Sequence, residues 1–98
     1  MAEVIWTQAA LGDLNEIAEY IDVSNPTAAR KLVANVMSAA ERLELFPESG
    51  RLVYELDDLG YREVLVNPCR VIYKISDAQV YVLHVFRQEQ DLKRYILS

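Results

Sequence analysis

Ninety-eight residues, 52% apolar and 26% charged, give one domain, residues 1–98, around a single core. A net charge of −5 lacks the broad pull on polyanions that accompanies nucleic-acid binding, and one His with one Cys excludes a thiolate–imidazole zinc site and an intramolecular disulfide. No run approaches the roughly 18 apolar residues of a membrane span, and the Met-Ala-Glu start lacks the pattern of a secretory leader, so a reducing cytoplasm is expected.

In chain order, Ala2 to Trp6 reads as a first strand, and Thr7 offers an N-cap oxygen to a helix beginning near Gln8. Ala10, Leu11, Leu14, Ile17, Ala18 and Ile21 recur at three- and four-residue spacing and define its apolar face. Asp13, Glu16, Glu19 and Asp22 lie off that face, where solvation is expected. Ser24-Asn25-Pro26 ends this helix and starts the next, with Asn25 as cap and Pro26 at the first helical position. The second helix is predicted to reach about Leu45, burying Ala29, Leu32, Val33, Val36, Met37, Ala40 and Leu43. So short a link makes the two helices an antiparallel hairpin.

Phe46 to Arg51 is a loop by composition, Leu52 to Leu56 reads as a short strand, and Asp57 to Gly60 as a turn. Three runs rich in β-branched and aromatic residues follow: Tyr61 to Val66, Cys69 to Ile75, and Val80 to Arg87. Asn67-Pro68 and the turn around Asp77 divide them, which predicts an antiparallel meander. Gln88 to Leu97 is expected to be a short C-terminal helix or tail. The fold class is therefore α+β, with an N-terminal strand and a helix hairpin packed on a mainly antiparallel sheet.

Charge is uneven: residues 1–49 hold three basic against eight acidic residues, and residues 50–98 hold seven of each. The meander carries Arg62, Arg70, Lys74, His84 and Arg87, so chemistry is sought there. Strict alternation turns Val71, Tyr73, Ile75, Val80, Val82, His84 and Phe86 inward, and a bulge would reverse His84. It sends Arg70, Lys74 and Arg87 to the opposite, partly open sheet face. For Arg70 an ion pair with Glu63 or Glu55 competes with partner binding. Tyr61 and Tyr73 read as core aromatics, and Arg51 as a loop arginine. No phosphate-binding glycine motif, nucleophile elbow, HExxH or paired metal-carboxylate spacing is present.

Taken together, the order of elements, the Pro47-Glu-Ser-Gly-Arg51 loop, Tyr61-Arg-Glu, Arg70-Val-Ile-Tyr73, the Trp6-Thr7 start and the Asn25-Pro26 segment resemble the RelE/ParE toxin superfamily, most closely its ParE branch. That resemblance implies the toxin of a bacterial type II toxin–antitoxin pair, neutralised by a cognate antitoxin and contributing to plasmid stabilisation. ParE-like toxins trap DNA gyrase with cleaved DNA and need no cofactor or metal. RelE-like relatives instead cut mRNA on the ribosome by general acid–base and electrostatic catalysis. Arg70 falls on the arginine that opens the third-strand motif of both branches, and Arg87 lies near a second basic position. With Lys74, added by strand alternation, they form the expected target-binding set, and for a nuclease the catalytic set would be Arg70, Arg87 and His84. Glu55, Asp57 and Asp58 stand where a ribosome-dependent nuclease would carry cations, which favours gyrase and argues against direct nucleic-acid binding. A homodimer or a toxin–antitoxin hetero-oligomer would cover remaining apolar surface. An antitoxin segment is expected to add a strand to an exposed sheet edge and lay an amphipathic helix across the hairpin. An interaction module without toxicity is the third reading.

Overall fold

The computed structural model describes residues 1–89. Strand β1 (Glu3–Trp6) leads into helices α1 (Gln8–Asp22) and α2 (Pro26–Glu41); β2 (Arg51–Leu52), β3 (Arg62–Val66), β4 (Cys69–Ser76) and β5 (Gln79–Arg87) follow. The five strands form one sheet in the order β1-β5-β4-β3-β2. Among the described residues only β1 lies parallel to its neighbour, pairing Glu3 with Gln79 through Trp6 with Val82. All other pairings are antiparallel.

Local chemistry sets the helix ends. The Thr7 side chain accepts from the Ala10 N–H at 3.1 Å and donates to the Val82 carbonyl at 2.9 Å, so one hydroxyl caps α1 and ties it to β5. Asn25 accepts from the Ala28 N–H at 3.0 Å, and Pro26 opens α2. The hairpin then buries Ala10, Leu14, Leu32, Val36 and Ala40 against Cys69, Val71, Val82 and Val85. Leu11 and Met37, expected on the buried stripes, stay 48% and 42% exposed at the margins.

Three boundaries differ from the sequence expectation. Helix α2 stops at Glu41 and tightens into a 3-10 turn over Arg42–Glu44, which buries Leu43 and leaves Leu45 and Phe46 outside. The strand expected over Leu52 to Leu56 shortens to β2, and a 3-10 segment covers Tyr54–Leu59. This segment brings Val53 and Leu56, three residues apart, onto one side. Both pack on Ile72 and Phe86 with Tyr61 alongside, so the sheet face away from the helices carries a small core of its own. Gly60 then reverses the chain at φ 76°, a conformation glycine adopts without cost, and Asp77 takes φ 56° in the β4–β5 turn. Most of the expected C-terminal segment, from residue 90 on, lies outside the described residues.

Candidate functional site

Strand β5 does not alternate strictly. Ile72 pairs with His84 but Tyr73 pairs with Val82, so Leu83 forms a bulge. One extra residue reverses every side chain beyond it. His84 and Phe86 therefore join Ile72 on the face away from the helices, stacked with ring centroids 5.1 Å apart. Arg87 moves the other way: it pairs with Cys69, whose side chain lies in the helix-side core, and its guanidinium lies 5.7 Å from the Tyr20 ring of α1. The expected inward His84 and outward Arg87 are thus both corrected by the same bulge.

Arg70 remains on the predicted face, but it is 8% exposed and enclosed by carboxylates. Its Nε donates to Glu63 Oε1 at 2.6 Å and its Nη2 to Glu63 Oε2 at 3.0 Å. Nη1 and Nη2 also donate to the two oxygens of Glu55 at 2.9 and 3.0 Å. Glu63, 2% exposed, takes a further bond from Arg51 Nε at 3.2 Å. Two arginines and two carboxylates close into a neutral cluster with bidentate geometry on both sides of Arg70. Hydrogen bonds from Arg70 hold the Glu55 carboxyl down at about 2, against an ordinary 4.5, and the same bonds raise the Arg70 pKa further. Arg70 meets both candidate acids, where the sequence offered one or the other.

The neighbouring motif residues shape the backbone. Tyr73 is fully buried; its hydroxyl donates to the Pro47 carbonyl at 2.7 Å and accepts from the Gly50 N–H at 2.9 Å. Burial raises its pKa. Arg62 Nη1 donates to the carbonyls of Gly50 and Glu48 at 2.8 and 3.3 Å. The Pro47-to-Arg51 loop is therefore clamped onto β3 and β4, and Gly50 fits because a Cβ there would sit 2.5 Å from the Tyr73 hydroxyl.

Asp13, expected in solvent, faces β5. Its Oδ2 accepts from the Val85 N–H at 3.1 Å and lies 3.1 Å from His84 Nδ1. Strand β1 covers β5 only as far as Val82, and Asp13 takes up a backbone donor beyond that point. Neither alternation nor composition signals such a contact. Lys74 stays exposed, with its ammonium 5.5 Å over the Tyr61 ring. Arg70, Lys74 and Arg87 are not brought together, nor are Arg70, Arg87 and His84. Among the described residues no cluster of three His, Cys, Asp or Glu side chains could hold a metal ion, and no helix is long and apolar enough to cross a membrane.

A helix hairpin packed on such a sheet has known counterparts. The model of a family described as the ParE toxin of the type II toxin–antitoxin system parDE matches residues 4–92. The chain belongs to the ParE toxin family. Among its relatives is Toxin RelE2 of Caulobacter vibrioides, 37% identical over 86 residues that cover 87% of this chain and 93% of the relative. A Putative toxin Y4kP of Sinorhizobium fredii is 44% identical over 46 residues, covering 47% of this chain and 48% of the relative. A solved structure titled as a chromosomal ParDE TA system from P. aeruginosa superposes with a TM-score of 0.77, covering 91% of this chain and 98% of that one. At 22% identity it shows that the ParE fold is shared.

Proposed function

We propose that this ParE-family toxin acts by binding DNA gyrase and trapping it with cleaved DNA, and that a cognate antitoxin neutralises it. The caging of Arg70 by Glu63 and Glu55 carries this reading. A group that stabilises a scissile phosphate must offer free donors to it, and four of the five N–H groups of this guanidinium already donate to carboxylates. His84 is engaged by Asp13 and Arg87 lies on the other side of the sheet, so the three do not converge on one substrate atom. A neutral, partly apolar face suits a protein surface better than a polyanion. The set that would contact the target contracts to Lys74, with Arg70 and Arg87 outside it.

The antitoxin follows from the family. An apolar hollow of ≈ 400 Å³ between the helices, lined by Ala18, Ala29 and Val33, gives its helix a seat. The test adds purified toxin to gyrase, plasmid DNA and ATP. Accumulation of linear DNA after detergent and protease treatment, abolished by the antitoxin, is expected; unchanged supercoiling and cleavage would refute the proposal. The relative named RelE2 speaks for ribosome-dependent mRNA cleavage as the second reading. Cuts at defined codon positions in ribosome-bound mRNA would establish it.

A further inference from the structure

The sheet has an uncovered edge beside that neutral cluster. Strand β2 pairs only with Arg62 and Glu63, so among the described residues no strand lies against the outer side of β3 from Val64 to Val66. Leu45, Phe46 and Leu65 stand 63%, 62% and 45% exposed around this edge. Three hollows meet at Leu65. One of ≈ 640 Å³ reaches toward Leu45 and Glu44, one of ≈ 450 Å³ toward Phe46 and Arg51, and one of ≈ 710 Å³ toward Arg70 and Tyr54.

The charges at the two ends differ. Arg51 commits only its Nε to Glu63, its side chain is 65% exposed, and its outer nitrogens take no carboxylate from the described residues. Arg42, shared by the Leu45 and Phe46 hollows, makes no ion pair among the described residues. At the other end Glu41 and Glu44 line the hollow beside Arg42, two carboxylates to one cation. An extended segment laid along β3 would find open backbone groups, an apolar centre, a cation at one end and anions at the other.

We propose that this edge is where the toxin grips its protein target, which supplies an extended segment as a sixth strand. Its alternate side chains meet Leu65 on the Arg70 face and the Phe46 hollow on the helix side. A carboxylate reaches Arg51, and a cation faces Glu44. This rests on the reading that the chain acts through a protein target, and the separate hollow on the helix hairpin leaves the antitoxin helix its own seat. Backbone pairing gives affinity, and the end charges fix the direction of the added strand.

Leu65→Lys places a charge on the edge, as natural sheets do to block pairing, and Phe46→Ser removes an exposed apolar anchor. Each variant is compared with the parent chain for circular dichroism, binding to purified antitoxin, growth arrest on induction, and gyrase-dependent DNA cleavage. The expected result is unchanged fold and antitoxin binding, with about a tenfold or greater loss of potency, the size of a lost interface anchor. Full potency in both variants overturns the proposal. So does loss of antitoxin binding with potency kept, which would give the edge to the antitoxin. So does a parent dimer that Leu65→Lys dissociates with potency kept, which would give it to a second copy. If the parent chain arrests growth without touching gyrase, the choice of target falls, and the edge is judged by growth arrest alone.

Discussion

At the scale of single residues, Arg70, Glu63, Glu55 and Arg51 form one hydrogen-bonded ion-pair cluster. Truncating one member of a buried ion pair leaves its partners charged and unmatched. Arg70→Ala should therefore lower unfolding stability by about 3 kcal/mol in urea titrations. Any loss of activity in that variant reports the fold first, so it cannot locate a catalytic site. The Glu55 carboxyl titrates at about 2 folded and near 4.5 unfolded, so its contribution is complete above about pH 5. That contribution drains away as pH falls from there through about 2. Melting temperatures should drop across this window in the parent, and Glu55→Gln should flatten the drop. The sequence already paired Arg70 with these acids as alternatives. It could not show that two carboxylates 8 residues apart in sequence converge on one guanidinium, because the 3-10 segment that turns Glu55 inward carries no alternation of its own.

Among the elements, periodicity was a good guide wherever a regular pattern ran uninterrupted. Both helices, both caps, the meander and its turns were legible, because Thr7, Asn25, Pro26 and the β-branched runs each act locally. The bulge at Leu83 was not, since Val82, Leu83 and Val85 are interchangeable apolar residues in sequence and only the pairing with Ile72 and Tyr73 shows which is skipped. The 51–60 segment was misread for a related reason: Val53 and Leu56 answer to a core at three-residue spacing. Two loop contacts invite measurement. Gly50→Ala brings a methyl within 2.7 Å of the Glu63 carbonyl, which has little room to yield, and should cost about 1–3 kcal/mol of stability. Tyr73→Phe strands the Gly50 N–H and the Pro47 carbonyl and should cost about 1–2 kcal/mol, measured by denaturant midpoint.

For the whole molecule, acidity and internal charge closure act in the same direction. The formal charge of −5 and the neutral Arg70 cluster leave little for a phosphate backbone to hold. Filter binding at about 150 mM salt should detect no stable complex with duplex DNA or ribosomal RNA fragments, whereas a nuclease would retain them with a steep salt dependence. The parallel pairing of β1 with β5 has a further effect on timing. Glu3 must wait for Gln79 before the sheet can close, and that contact spans most of the polypeptide. Until β5 has been made, the first strand therefore has no neighbour to pair with, and the layer beneath the helix hairpin stays open.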